Sequence, residues 1–263
     1  MAQVHYEKHG HIVVITMEGD TDLNIGMVGG VHEPLLDYRD DDDLWCAVIT
    51  GAGQRAFSAG GDLRRFRPVP GDSRLNSPGS AARNPPAPTV LSDLELWKPL
   101  IAAVNGYCIG AGMMLALACD IRIASETAEF GIPEAKTLGV PPGGGVAWRL
   151  PRTIALGPAL EILLTGDRIG AQQALEWGLV NQVVPQGELM EAAMNLAERI
   201  AANPPLAVRA TKELVYRALD LPLSQAVRLK DALASSRICN DTEDAREARR
   251  AFAEKRKPEF KGR

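Results

Sequence analysis

IAAVNGYCIGAGMMLALACDIRIASETAEFGIPE, residues 101 to 134, is the stretch whose reading decides the fold, and the other segments make most sense as its supports or covers. A short apolar strand, Leu100 to Val104, runs into the turn pair Asn105-Gly106. A second break at Gly110-Ala111-Gly112 then opens an apolar run, Met113 to Cys119, that has no polar face. Its Ala, Met and Leu content, with no β-branched residue, predicts a buried helix rather than a buried strand. The small residues therefore lie at a buried helix N-terminus, where the first backbone N–H groups lack intrahelical partners and carry the positive end of the dipole. Small side chains there either admit a ligand oxygen to those N–H groups or only permit tight helix packing, and this segment alone leaves both readings open.

Around this centre, 263 residues with 46% apolar content suffice for one large core, or one core with a helical appendage. The net charge of −4 is mild, and no basic stripe carries interleaved aromatics, so nucleic acid is not an expected partner. Four cysteines (Cys46, Cys108, Cys119, Cys239) show no C-x-x-C spacing and read as buried thiols of a reducing compartment. The N-terminus has charges and histidines where a signal peptide needs an apolar core, and no run is long enough to span a membrane. A cytoplasmic protein without membrane association is the expectation.

From the start of the chain, Val4 to Lys8 and Ile12 to Met17 predict a hairpin around Gly10. A weakly amphipathic helix follows from about Ile25 to Tyr38, then the acidic cluster Asp40 to Asp43, read as a solvated turn rather than a cation site. All four histidines lie in this part. His9 and His11 would share a face if both lay on one strand, but no Cys, Asp or Glu at ligand spacing joins them, and no metal is expected. A hydrolase triad is excluded by the lack of G-x-S-x-G and of any histidine after His32. The next strand is Trp45 to Thr50. After it, GAGQRAFSAGGDL (51 to 63) forms a second glycine-rich turn in which Asp62 is placed to cap a short helix.

Arg64 to Thr89 holds six prolines with Gly, Ser and Arg and no period, so it reads as a long mobile loop, either a functional lid or a disordered segment. Leu91 to Trp97 resumes a helical pattern. Beyond the centre, LGVPPGGGVAWRL is a turn-rich segment feeding a helix, and Leu179 to Val184 is the last strand candidate. From Gly187 onward the pattern is helical, over about 188–202, 206–219, 223–238 and 242–255.

The pair Gly110 and Gly112 fails as a dinucleotide fingerprint, because Leu115 stands where the third small residue belongs and the motif is in mid-chain. No G-K-[ST] occurs, which excludes a nucleoside-triphosphate loop. Both glycine-rich turns, Ala59-Gly60-Gly61 and Gly110-Ala111-Gly112, are better read together as strand-to-helix corners with free N–H groups. Two such donors on one oxygen make an oxyanion hole, a device for carbonyl chemistry through an enolate or a tetrahedral oxyanion. Glu134, beside Pro133 and just past the buried run, becomes a general acid–base if burial raises its pKa. The pattern by itself favours a surface carboxylate.

Over nearly its whole length the chain resembles the enoyl-CoA hydratase/isomerase family, also called the crotonase family. The resemblance rests on AFSAGGDL (56 to 63), KPLIAAVNGYCIGAGMMLALACDIRIAS (98 to 125), FGIPEAKTLGVPPGGG (130 to 145), TGDRIGAQQALEWGLVNQVV (165 to 184) and FAEKRKPEF (252 to 260). It implies an α/β, crotonase-like spiral of ββα repeats over residues 1–200 and a helical C-terminal region, 201–263, that builds a homotrimer or hexamer. It also implies an acyl-CoA thioester substrate, with coenzyme A as part of the substrate and no separate cofactor. By the same resemblance the N–H groups of Gly61 and Ala111 hold the thioester oxygen, and Glu134 is catalytic. Leu23, Ala59, Gly60, Asp62, Leu63 and Arg64 then meet the CoA, Met114, Pro133 and Leu138 also belong to the substrate-binding set, and Phe252 and Lys255 close over the CoA.

Met114 departs from the hydratase pattern. Hydratases of the family have a glutamate there, which with the one matching Glu134 holds and activates water. A thioether neither orients water strongly nor exchanges a proton. Two-carboxylate hydration is therefore in doubt, and the expected chemistry is proton transfer by Glu134 alone. Double-bond isomerisation comes first, hydration second, and acyl-CoA binding without turnover is the reading from another class.

Overall fold

The computed structural model describes residues 3–19, 21, 23–24, 30–61, 91 and 94–263. The expected hairpin is present: β1 (Gln3–His9) pairs antiparallel with β2 (Ile12–Glu18), and Gly10 at the turn has φ +59. The helix expected from Ile25 is α1, His32–Asp40, with residues 25–29 outside the described part. Strand β3 (Cys46–Gly51) is followed by β4 (Ala56–Ser58). Asp62, Leu63, Arg64 and the whole 64–89 loop lie outside the described residues.

The helical pattern at Leu91 to Trp97 does not become a helix among the described residues; Leu91 and Glu95 hold positive φ (61 and 42), which a right-handed helix does not allow. The centre follows as read: β5 (Leu100–Val104), β6 (Tyr107–Ile109) and α2 (Ala111–Ala118), then β7 (Ile121–Ser125), β8 (Glu129–Gly131) and α3 (Glu134–Thr137). Next come α4 (Val146–Thr153), α5 (Leu156–Thr165), β9 (Ile169–Gly170), α6 (Ala171–Glu176) and β10 (Gln182–Val184), which is only the second half of the expected Leu179–Val184 strand.

The strands form two sheets. One has six strands in the order β1-β2-β3-β5-β7-β10, parallel from β2 onward, and the other has four in the order β4-β6-β8-β9. β5-β6-α2 and β7-β8-α3 are therefore successive copies of one unit: a strand in the large sheet, a strand in the small sheet, then a helix. Alternation along the large sheet serves two cores. Val13, Ile15, Ala47, Ile49, Ala102 and Val104 face the main core shared with the small sheet and α2. Val14, Val48, Ile101, Ala103 and Ile123 face the other side, covered by α7 (Leu189–Ala201) through Leu189, Ala193 and Ala197. A sheet buried on both faces explains why LIAAV carries no polar residue.

The remaining helices are α8 (Pro205–Ala218), α9 (Leu223–Ala232), α10 (Ala234–Ile238) and α11 (Glu243–Glu254). The single helix expected over 223–238 breaks at Leu233, whose ψ of 128 is extended. α8 is tied to the central strands through Asp120, whose carboxylate accepts the Leu100 N–H at 2.8 Å, the Lys212 ammonium at 2.7 Å and the Tyr216 hydroxyl at 3.0 Å. Asp120 is thus an anchor between the sheet and the C-terminal helices. No helix among the described residues is long and apolar enough to cross a membrane.

Candidate active site

α2 supplies the central backbone. Its sequence, AGMMLALA, has no side-chain cap at the N-terminus. Its far end is held by the buried Arg122, whose Nη1 donates to Ala116 O at 3.2 Å and Cys119 O at 2.8 Å while Nε donates to Leu179 O at 2.6 Å. A cation at the C-terminal carbonyls offsets the negative end of the dipole and leaves the positive end at Gly110-Ala111.

The two glycine-rich corners meet. Gly60 has φ +97, and a Cβ added to it would stand 2.9 Å from Ile109 O, 3.5 Å from Ala111 N and 3.7 Å from Gly110 Cα. Only glycine permits both that φ and that approach. Among the described residues, nothing lies within 4 Å of a Cβ added to Gly61. Gly112 has a different purpose: a Cβ there would overlap Ser58 O, so its role is close packing of α2 on β4. Close packing, one of the two readings left open for the Gly110-Ala111-Gly112 corner, thus holds for Gly112.

Leu23 and the Gly60 corner are joined by backbone, since Ala59 N–H donates to Leu23 O at 2.9 Å. Two residues not singled out from the sequence reinforce this join. Ser58 Oγ donates to Asn24 O at 2.9 Å and accepts the Gly60 N–H at 3.3 Å. The buried Asn24 side chain donates to Ala56 O at 2.7 Å and Ala52 O at 3.2 Å. Asn24 has a positive φ of 49, which asparagine tolerates better than most residues, and its residue type is the one signal in the sequence that marks it.

Glu134 is the first residue of α3, after Pro133, and Leu138 closes that turn by donating its N–H to Glu134 O at 2.9 Å. The surface placement favoured by the sequence pattern is corrected here: Glu134 is half-buried, and its Oε2 is shielded from solvent without a hydrogen-bond partner among the described residues. Its Oε1 would lie 3.3 Å from a Cβ on Gly110, so the carboxylate comes up against the corner that begins α2. Burial pushes its pKa above the ordinary glutamate value, partly offset by a bond from its own backbone N–H.

Met114 lies one helical turn past Gly110 and is buried. Its thioether packs on Gly144, where a Cβ would overlap Sδ; Gly144 has φ +59. The turn-rich LGVPPGGGV segment therefore seats the methionine.

Phe252 and Lys255 do not join this cluster within one chain. Phe252 is 88% exposed on α11, and Lys255 is exposed at its left-handed C-cap. The tail beyond is folded back on α11, with Glu247 paired to Arg256 and Arg250, and Asp244 accepting the Lys261 and Gly262 N–H groups at 2.7 and 2.8 Å. His11 is stacked on Trp45, and among the described residues no group of three His, Cys, Asp or Glu is arranged to hold a metal.

Comparison with known proteins agrees with this architecture. A family model for enoyl-CoA hydratase/isomerase matches residues 7–263. The chain is 38% identical over 270 residues to a carnitinyl-CoA dehydratase of Citrobacter koseri, covering 99% of this chain and 98% of that one. It is similar in structure to an enoyl-CoA hydratase from Bacillus anthracis (TM-score 0.82, 34% identity, 100% of this chain and 99% of that one). It is likewise similar to an enoyl-CoA hydratase from Mycobacterium tuberculosis H37Rv (TM-score 0.83, 34% identity, 99% of both chains). With two sheets of repeated ββα units and a match that spans almost the entire chain, this protein has the crotonase fold and belongs to the enoyl-CoA hydratase/isomerase family.

Proposed function

We propose that this acyl-CoA enzyme performs proton transfer on an enoyl-CoA with Glu134 as its single acid–base group, favouring migration of the double bond. The observation that carries this reading is a half-buried carboxylate against the Gly110-Ala111 corner, with a thioether at 114 where a second carboxylate would be needed to hold water. In this chemistry Glu134 takes a proton from the α-carbon of a 3-enoyl thioester. The C–H pair delocalises onto the thioester oxygen, held by the N–H groups of Gly61 and Ala111, and the proton returns at the γ-carbon to give the 2-enoyl product. Leu23, Ala59 and Gly60 lie along the same corner and would contact the CoA portion; no separate cofactor is required.

A second reading is reversible loss of water with Glu134 acting alone, favoured by relatives that are named carnitinyl-CoA dehydratase. A panel of acyl-CoA and enoyl-CoA thioesters in deuterated buffer separates the readings. Double-bond migration with deuterium incorporation supports the first, and water addition or loss without migration supports the second. Binding without any exchange would leave an acyl-CoA-binding protein.

Met114→Glu tests the role of the thioether. The carboxylate would occupy the space against Gly144, and water addition is expected to rise relative to migration. The substitution should also lower stability, since a buried carboxylate is expensive unless it finds hydrogen bonds. An unchanged product ratio in the folded variant counts against Met114 as the reason for weak hydration.

The division at residue 200 and the assembly belong to the same proposal. Leu156, Leu160 and Leu164 form an exposed stripe on α5, and Leu219, Leu223 and Val227 are exposed at the end of α8 and on α9. Burial of these side chains against further copies of the chain would give the homotrimer or hexamer and bring Phe252 and Lys255 to a neighbour's CoA site. Sedimentation at micromolar concentration is expected to show three or six chains. A monomer would remove the basis for that shared site.

A further inference from the structure

We infer that the turn Gly166-Asp167-Arg168 is the positioning element for the Glu134 carboxylate, with Gly166 as its key residue. The inference rests on Glu134 being the acid–base group.

α3 cannot place Glu134 unaided. It has four residues, no side-chain cap and no buried residue, and the helix it packs against is α5. Gly166 is the C-cap of α5, buried, with φ +66. A Cβ at Gly166 would stand 2.8 Å from Lys136 Cβ and 3.3 Å from Pro133 Cα, so its bare backbone is pressed against the residues on either side of Glu134. The next two residues extend the contact. Asp167 pairs with Lys136 at 2.6 Å. The Arg168 chain lies 3.2 Å from the Cβ position of Gly131, and its guanidinium reaches Glu129 at 3.3 Å and covers the Tyr107 ring at 5.0 Å. Ile169 and Gly170 then pair with Phe130 and Glu129. Residues 166–170 thus line residues 129–136 from one side, and displacing that wall displaces the carboxylate. A shift of about 1 Å in a catalytic group can cost on the order of a hundredfold in rate.

Helices commonly end in a left-handed glycine for backbone reasons alone. Gly178 provides the comparison within this molecule. It follows α6, has φ +77 and donates its N–H to Leu175 O, but among the described residues nothing lies within 4 Å of its Cβ position. Alanine at either site meets the same left-handed strain, and only at Gly166 does it press on the Glu134 turn.

The experiment compares Gly166→Ala, Gly178→Ala, Gly166→Ala with Lys136→Gly, and Glu134→Gln. Deuterium exchange and turnover are measured on the enoyl-CoA that the wild-type chain converts fastest, with melting temperature recorded for each variant. Gly166→Ala is expected to lose tenfold or more in kcat with KM within about threefold, while Gly178→Ala keeps kcat at a similar loss of melting temperature. Lys136→Gly, which removes the opposing Cβ together with the Asp167 pair, is also made alone, and adding Gly166→Ala to it should cost less than threefold further in kcat. Equal kcat for the two alanine variants, or a further loss in the Lys136→Gly background as large as in the wild-type chain, overturns the inference. Should Gly166→Ala not fold, Asp167→Ala with Arg168→Ala removes the side-chain contacts and leaves the glycine. A threefold or larger loss of kcat is then expected, and an unchanged kcat overturns the inference. Glu134→Gln separates the two levels: if it retains exchange, the acid–base assignment itself fails, whatever the glycine variants do.

Discussion

Glu134→Gln is expected to lower proton exchange and turnover by about a hundredfold to ten-thousandfold while CoA-thioester affinity stays within a few-fold. The amide keeps the shape of the side chain but cannot accept the proton. Glu134 Oε2 has no hydrogen-bond partner among the described residues, so the substitution breaks no side-chain bond at that oxygen and the fold should be untouched. The pH profile adds a second readout. Burial raises the Glu134 pKa, and the base form exists only above it, so activity should fall on the acid side at a pH above the ordinary glutamate range. That limb should vanish in whatever activity Glu134→Gln retains. A full catalytic rate in the variant would move the base elsewhere, and residues 62–90 would be the first place to look.

Ala111→Pro is expected to lower kcat by roughly a hundredfold or more, by analogy with the loss of one oxyanion donor. Ala111 is the first residue of α2, where proline suits the helix backbone and no intrahelical hydrogen bond is lost. What disappears is the N–H at the corner facing Gly60, and the ring carbon fills the space it addressed. Ala111→Gly retains the N–H and should retain kcat. Circular dichroism should show wild-type helix and strand content in both variants. Near-wild-type turnover in folded Ala111→Pro would count against a backbone oxyanion hole at this corner.

Elements with a strong local period are legible in the sequence alone. LIAAV is a strand because every residue is apolar and short turns bound it, and AGMMLALA is a helix because its residues are strong helix formers. The hairpin around Gly10 and the helices from 189 onward follow for the same reason. Where the pattern misleads, tertiary contacts override it. Leu91 to Trp97 has helical spacing yet takes left-handed φ at Leu91 and Glu95, and the helix expected over 223–238 turns at Leu233.

The sequence by itself determined the family, through motifs spread over the whole chain, and with it the candidate oxyanion corners, the candidate base and the missing carboxylate at Met114. Tertiary structure alone decided how each small residue packs. Gly112 seats α2 on Ser58, Gly60 brings its corner to Ala111, and Gly61 meets nothing among the described residues. It also decided that Glu134 is half-buried, and that Gly144 and Gly166 press on Met114 and on the Glu134 turn. The physical reason is range. Helix and strand preference come from a residue and its near neighbours, whereas desolvation of a carboxylate and the room beside a glycine depend on atoms brought close from elsewhere in the chain.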